Sequence, residues 1–388
     1  MEATHALWTF PAIILAAMLI AWAAECGQFH ISQGLALAVL AWIQTLPEFA
    51  VEAVIALEAA KDPSKMHLVT ANFTGSLRLF VGLGWPGVYF IAMFFARNKR
   101  SATLAGFKKV FWTIQMEDEQ AVSVLTLLPA IVYFIYIYLK STLNIFDGIV
   151  LALIYAVYLC LLSKLPSQSS EGIEELDWIP RSVMKLKRPF NFVGIILFFV
   201  AGALLLWFTA HPFLGSMLAL AASLGVSQFV FVQWLAPFLS EFPEQISAYR
   251  WAASVTKAPM ALSNFVSSSI NQWTILVATV PFIYSFGVGH AAFIHFDEHQ
   301  KVEILLTIVQ SYLGFLFLVS MDFALFEAVG LFGLWLAQFL FPGIREEIIY
   351  VYGAWAAFET FRMVKNFKER NAFRVFAKLS KEYFLKRA

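Results

Sequence analysis

The chain has 388 residues, of which 60% are hydrophobic and 14% are charged, and its formal net charge is +1 at pH 7. This composition excludes an ordinary soluble domain and is typical of a polytopic helical membrane protein. A net charge near zero gives no reason to expect nucleic acid as a partner. We expect the chain to have the lipid bilayer as a partner.

Long apolar stretches predict ten membrane spans, five in each half of the chain. They cover about 7–24, 31–60, 68–96, 121–139, 145–162, 190–210, 212–251, 259–288, 304–321 and 323–341. The second and third spans exceed the roughly 20 residues that a bilayer requires, so we expect them to tilt or break. We place a break at Pro47 and a bend at 82–86.

The same pattern divides the chain into four regions. Residues 1–163 form a first membrane repeat, 164–189 a cytoplasmic linker loop, 190–341 a second, inverted membrane repeat, and 342–388 a basic amphipathic C-terminal segment. An eleventh span at 348–361 would bring the C-terminal basic residues into the cytoplasm. The alternative is an amphipathic helix that lies on the membrane surface.

Basic residues set the expected orientation. The loops at 97–120 and 164–188 carry five Lys or Arg each, and nine more lie in 362–388. Cytoplasmic loops are enriched in Lys and Arg, so these loops are expected in the cytoplasm and the N-terminus outside. We expect an integral, multi-pass protein of the plasma (inner) membrane.

A polar motif occurs once in each half of the chain. Pro47-Glu48 is followed by Asn72, and Pro243-Glu244 is followed by Asn264. A carboxylate beside a proline inside a membrane span is costly and therefore a functional hypothesis, because proline frees backbone carbonyls that can turn toward a cation. Such duplications in transporters form inverted repeats that meet at a site near the bilayer midplane.

Helical spacing brings further polar side chains onto shared faces. The face of the span at 259–288 is predicted to contain Asn264, Ser267, Ser268, Asn271 and Gln272. The partner segment places Ser240, Glu241 and Glu244 together, and the first copy stacks Thr45, Glu48 and Glu52. Asn72 and Ser76 share a face, but Leu79 and Phe80 replace the amides of the second copy. Carboxylate, hydroxyl and amide oxygens suit calcium or sodium.

These motifs resemble those of the sodium/calcium exchanger, or calcium:cation antiporter, superfamily. That family carries a Gly-Thr-Ser-x-Pro-Glu segment and a Gly-Asn-x-x-Gly-Ser-Asn segment in each of two inverted repeats. The first repeat here reads Ile43-Gln-Thr-Leu-Pro-Glu48 and Ala71-Asn-Phe-Thr-Gly-Ser-Leu77, and the second reads Leu239-Ser-Glu-Phe-Pro-Glu244 and Ser263-Asn-Phe-Val-Ser-Ser-Ser269. The resemblance covers about residues 7–341.

The resemblance implies an all-α membrane fold of about ten transmembrane helices in two inverted five-helix repeats. It also implies a secondary active antiporter, not an enzyme, that exchanges calcium for sodium or protons by alternating access without a cofactor. Glu48 and Glu244 would be the paired cation-binding carboxylates, and Ser76 and Ser268 would be hydroxyl ligands. Thr45 and Ser240 would supply hydroxyls or unwound backbone carbonyls.

The departures from the family pattern leave alternatives open. If the second repeat is shifted by one residue, Ser267 and Asn271 take the ligand roles. Glu241, where the family usually has serine, adds a third acid and favours proton coupling. A proton-coupled exchanger of another divalent cation is one alternative. A non-transporting membrane scaffold or sensor is another, favoured by the apolar Leu79 and Phe80.

Other polar residues in or near the spans have structural interpretations. We expect Arg78 to face another helix or the membrane interface instead of pairing with Glu48, since it lies on the opposite side of its helix from Ser76. Asp322 and Glu327 are interpreted as a structural pair. The histidine-rich loop at 290–299 has no standard metal spacing and is expected at the solvated surface.

Overall fold

The computed structural model describes residues 3–27, 29, 42, 45–98, 107–108, 113–165, 173–176, 178–225, 231–235, 237–238, 241–366 and 370–384. Most of these residues are helical. The helices of the first half are α1 (Ala6–Gly27), α2 (Leu46–Lys61), α3 (Met66–Leu79), α4 (Trp85–Asn98), α5 (Ala121–Lys140), α6 (Ile145–Ser163) and α7 (Trp178–Met184). Those that follow are α8 (Phe190–Ser223), α9 (Phe242–Ala253), α10 (Ala258–Asn271), α11 (Val277–Val288), α12 (Glu298–Leu318), α13 (Leu325–Leu340), α14 (Arg345–Lys365) and α15 (Asn371–Leu379).

The described chain also contains short strands, π-helical turns and 3₁₀ turns. The strands are β1 (Phe107–Lys108), β2 (Thr113–Gln115), β3 (Thr142–Leu143), β4 (Ile294–His295) and β5 (Asp322–Phe323). They form an antiparallel sheet in the order β1-β2-β5 and a separate β3-β4 pair. The π-helical turns cover Phe80–Gly84, Phe231–Leu235, Gln272–Leu276 and Ser380–Phe384.

The chain forms two compact units. The first contains Met1–Asn72 and Leu159–Glu244, and the second contains Phe73–Tyr158 and Gln245–Ala388. Each unit therefore combines a segment from the first half of the chain with a segment from the second half.

Helix α8 is longer than the sequence predicts. The apolar pattern places separate spans at 190–210 and 212–251, but the structure has one helix from Phe190 to Ser223 with Pro212 inside it. In the first unit α8 packs along α1, and the Thr9 and Ser216 hydroxyl oxygens lie 2.9 Å apart. A proline lacks one backbone donor but does not have to end a helix that neighbouring elements support, so the boundary predicted at residue 211 is wrong.

The order of elements recurs in the two halves of the chain. Helices α2 and α9 each begin one residue before a proline and place a glutamate third. Helices α3 and α10 each have 14 residues, with asparagine in seventh position, and each runs into a π-helical turn. The predicted break near Pro47 is confirmed as a helix start at Leu46, because proline favours the first turn of a helix.

The C-terminal part of the second unit contains a helix that runs beside α12. Glu303 near the start of α12 contacts Arg345 of α14, and Tyr312 near its end contacts Thr360. The backbone N–H of Ala372 then donates to the carbonyl of Val319. The 21-residue helix α14 is therefore parallel to α12 and about 31 Å long, enough to cross a bilayer.

Among the described residues, five helices are long and apolar enough to span a membrane, or six if α13 and α14 are counted as one bent span. The five cover Pro63–Ala96, Asp118–Lys140, Ile145–Ser163, Phe190–Thr209 and Glu298–Leu318. The protein is thus an all-α, multi-pass membrane protein. The count of ten spans and the inverted orientation of the second repeat stay predictions.

Candidate functional site

The acid of the first motif copy, Glu48, lies where α2 begins. The Thr45 carbonyl accepts hydrogen bonds from the backbone N–H groups of Glu48 and Phe49, both at 3.1 Å. The Thr45 hydroxyl donates to the carbonyl of Trp42 at 2.9 Å. The Thr45 carbonyl thus closes the first turn of α2, which holds the buried Glu48, whereas the Thr45 hydroxyl binds the segment before the helix.

Glu52, one turn further along α2, contacts the predicted site residue Asn72. The Asn72 side-chain amide donates to Glu52 Oε2 at 2.5 Å, and both residues are buried. The other carboxylate oxygen, Glu52 Oε1, is buried without a hydrogen-bond partner among the described residues. Glu52 therefore contacts a predicted site residue, although it is not itself one of the predicted ligands.

The second copy of the motif also places its acid in the first turn of a helix, α9. Glu244 lies in the first turn of the helix, and the Glu241 backbone N–H donates to the Pro237 carbonyl at 2.9 Å. Glu241 and Glu244 are 1% and 3% exposed. Ser240, also predicted to contribute, lies outside the described residues.

The first unit thus buries four carboxylates, of Glu48, Glu52, Glu241 and Glu244. A carboxylate in an apolar interior is costly unless it is protonated, hydrogen-bonded or balanced by a cation. Glu48 and Glu244, which the family resemblance assigns to cation binding, are among these four buried acids.

The predicted polar face of α10 lies in the second unit and is buried along most of its length. Asn264, Ser268, Asn271 and Gln272 are each at most 6% exposed, whereas Ser267 is partly buried. The Ser267 hydroxyl donates to the Ser263 carbonyl at 3.0 Å and lies 2.9 Å from the Tyr158 hydroxyl.

Tyr158 and Ser123 are residues that the sequence analysis did not identify. The Tyr158 hydroxyl lies 3.0 Å from Ser123 Oγ, so it connects α5, α6 and α10 through Ser267. Their signal in the sequence is weak, because one serine and one tyrosine within apolar spans are ordinary features of membrane helices.

Two predicted ligands in the second unit are buried without hydrogen-bond partners among the described residues. Ser76 is 1% exposed and its hydroxyl has none, and Asn271 is 0% exposed with neither its side-chain nitrogen nor its oxygen bonded. Buried polar groups are nearly always hydrogen-bonded, so such atoms indicate a place for a water or an ion. By contrast, Phe80 of the first copy packs on Phe265, with ring centroids 5.5 Å apart.

No group of three or more His, Cys, Asp or Glu among the described residues is arranged to hold a metal ion. A cation bound by the described residues would therefore need hydroxyl, amide or carbonyl oxygens in addition to carboxylates. Mixed oxygen sets of this kind are typical of calcium and sodium sites and not of zinc sites.

The structural interpretations of the remaining polar groups are mostly confirmed. Arg78 faces other helices, because its guanidinium contacts Glu303 and Gln338. The histidines of the loop at 290–299 are exposed, whereas Ile294 and Phe296 of the same loop are buried. Asp322 and Glu327 are bound separately and not to each other: Asp322 accepts from Ser320 at 2.5 Å, and Glu327 accepts from the backbone N–H of Ala324 at 2.7 Å.

Comparison with known proteins identifies the family. The family model described as "Sodium/calcium exchanger protein" matches residues 3–164 and 194–342. A solved structure of the H+/Ca2+ exchanger CAX is 28% identical, with a TM-score of 0.87 over 100% of this chain and 93% of that one. No curated protein sequence matches.

The sodium-calcium exchanger NCX_Mj shares the fold at lower identity. A structure soaked with 2.5 mM Na+ and 10 mM Sr2+ is 15% identical, with a TM-score of 0.54 over 87% of this chain and 97% of that one. A second, soaked with 100 mM Na+ and 10 mM Sr2+, is 16% identical, with a TM-score of 0.55 over 87% and 99%. With a family model that covers most of its length, the chain belongs to the sodium/calcium exchanger family of membrane cation exchangers.

Proposed function

We propose that the protein is a secondary active antiporter that exchanges calcium for protons by alternating access. The observation that carries this proposal is the burial of Ser76 and Asn271 without hydrogen-bond partners among the described residues, at two positions where the sequence predicts cation ligands. The likeness to an H+/Ca2+ exchanger at 28% identity favours protons as the coupling ion. The likeness to the sodium-calcium exchanger, at 14–17% identity, supports the fold alone.

In this proposal Glu48 and Glu244 bind either one calcium ion or the protons that compete with it. Two carboxylates balance the charge of a divalent ion, and two protons neutralise them equally well. An empty, doubly charged site is costly to expose to the low-dielectric interior, so the protein changes its access side only when the site is filled. Exchange follows from that condition.

Two further acids favour proton coupling over sodium coupling. Glu241 and Glu52 are buried in the same unit as the proposed carboxylate pair. Four carboxylates exceed the two charges that one calcium ion balances, and protons can neutralise the rest. The family pattern also places an amide or acid after the serine of each repeat as a sodium ligand, and the first copy has the apolar Leu79 and Phe80 at the corresponding positions.

The proposed arrangement in the membrane keeps 1–163 and 190–341 as the two repeats, with 164–189 as a cytoplasmic linker. Lys378 of α15 lies 3.5 Å from Asp118, so the basic C-terminal segment and the loop before α5 occupy the same end of the second unit. Both segments are rich in Lys and Arg, which favours the cytoplasm for that end and the outside for the N-terminus.

Calcium uptake by reconstituted full-length protein tests the function. Proteoliposomes receive a pH gradient or a sodium gradient separately, and the initial rate of calcium entry is measured. We expect the pH gradient to drive uptake and the sodium gradient to have little effect. Uptake that depends on sodium and not on pH would refute proton coupling. Absence of uptake under both gradients, with no calcium-dependent thermal shift, would favour a scaffold or sensor.

Glutamine substitutions test the assigned residues. Glu48→Gln and Glu244→Gln each remove one charge that balances calcium, so each should abolish uptake while the melting temperature is retained, because a neutral amide is easier to bury than a carboxylate. Glu327→Gln is the matched control, since Glu327 is also a buried acid in a membrane helix but caps a backbone N–H. Normal uptake by the first two variants, with loss in the control, would place the site elsewhere.

A further inference from the structure

A charged cluster is buried in the second unit, apart from the proposed cation ligands. Glu303 contacts Arg78 through one carboxylate oxygen and Arg345 through the other, the latter at 2.6 Å. The side chains of Arg78, Glu303 and Arg345 are 0%, 1% and 8% exposed. Ionised residues within membrane helices are costly, which makes this Arg–Glu–Arg cluster a candidate for function.

Two glutamines, Gln310 and Gln338, also bind Arg78. Arg78 Nη1 donates to Gln338 Oε1 at 3.1 Å, Gln338 Nε2 donates to Gln310 Oε1 at 3.0 Å, and Gln310 Nε2 donates to the Arg78 carbonyl at 3.0 Å. The three bonds form a closed ring in which both the side chain and the backbone of Arg78 are held. Closed polar networks of this kind rigidify the elements that they join.

The end of α3 that this ring holds also carries a predicted cation ligand, Ser76. Arg78 lies two residues after Ser76 on α3 and two residues before the π-helical turn Phe80–Gly84. Turns of this kind are frequent at functional sites. The corresponding position in the second copy is Ile270, which is buried and apolar, so only the first copy has this restraint.

The other end of the cluster lies outside the segment that matches the family. The match ends at residue 342, and Arg345 is the first residue of α14. Arg345 therefore connects a C-terminal helix, by way of Glu303 and Arg78, to the part of α3 that carries Ser76.

We propose that Arg345 is a positioning residue for the cation site, and that α14 takes part in ion binding through it. Holding Glu303 fixes Arg78, and fixing Arg78 keeps the Ser76 segment and the following π-helical turn in the conformation that binds the cation. The inference rests on the proposed function for its effect on transport, whereas the mechanical link from Arg345 to the π-helical turn does not depend on it.

Calcium-uptake kinetics of the reconstituted full-length protein test the role of Arg345. Arg345→Gln should raise the calcium concentration for half-maximal uptake about 2- to 30-fold, the range of couplings carried by side chains remote from a ligand, with little change in maximal rate. Arg345→Lys keeps the charge and should recover much of the affinity. Arg362→Gln is the matched control, since Arg362 lies on the same helix and pairs with Glu359 three residues away.

Hydrogen exchange of the peptide that covers 79–84 provides a second measurement that needs no transport. It should accelerate in Arg345→Gln and not in Arg362→Gln. The inference is overturned if Arg345→Gln keeps both the wild-type calcium concentration for half-maximal uptake and the wild-type rate of hydrogen exchange. It is also overturned if the variant only lowers the maximal uptake rate and the protein yield, with the half-saturating calcium concentration unchanged. If the wild type does not transport calcium, the proposed function fails, and unchanged exchange in Arg345→Gln would separately refute the link to α14.

Discussion

Substitution of Glu303 by glutamine tests how far the second unit depends on its buried charges. Glu303 lies between two arginine side chains that are 0% and 8% exposed. Glutamine has nearly the same shape but no charge, so the variant keeps the packing and removes the attraction. Arg78 and Arg345 are then left in the interior without the carboxylate that both contact.

The expected loss of stability follows from the geometry. At 2.6 Å and an effective dielectric constant of about 20, the attraction between Arg345 and Glu303 is about 6 kcal/mol. Desolvation offsets part of this, and removing one partner of a buried pair costs about 3–5 kcal/mol. A chain of 388 residues has an unfolding entropy of about 0.8 kcal/mol/K, so the melting temperature should fall by about 4–6 °C.

Thermal unfolding of the purified full-length protein in detergent measures this effect. Glu298→Gln is the control, because Glu298 lies on the same helix but its side chain is 91% exposed, and exposed ion pairs contribute only about 0–1 kcal/mol. The double variant Glu303→Gln/Arg345→Gln should recover part of the loss, since it removes one uncompensated charge. A wild-type melting temperature for Glu303→Gln, or a double variant less stable than the single one, would refute the reasoning.

Two further substitutions test packing and hydrogen bonding in the second unit. Gly82→Ala should destabilise the protein by about 1–3 kcal/mol, because the new methyl group would collide with Trp335. Gly333→Ala is the control, since a methyl group there meets open space and should be neutral or stabilising. Equal melting temperatures of the two variants would contradict this reasoning. Tyr158→Phe removes the hydroxyl that contacts Ser267, so it should cost about 1 kcal/mol of stability and leave the calcium concentration for half-maximal uptake unchanged. A large increase in that calcium concentration would instead show that Ser267 acts in ion binding.

The sequence determined the features that depend on neighbouring residues. Apolar length predicted an all-α membrane fold, and proline chemistry predicted the break before Glu48, because a proline favours the first turn of a helix wherever the chain goes next. Helix α9 begins in the same way before Glu244. The recurrence of the Pro-Glu and Asn positions indicated the duplication, and α3 and α10 repeat it down to the π-helical turn that follows each helix.

The tertiary structure alone decided which partners the polar side chains have. The spacing on α3 predicted that Arg78 faces away from Ser76, but its partners Glu303 and Gln338 lie 225 and 260 residues away in the sequence. The uninterrupted helix through Pro212 and the placement of α14 beside α12 likewise depend on packing between distant segments. Periodicity and propensity describe contacts within about one helical turn, whereas these interactions form only when separate helices pack together.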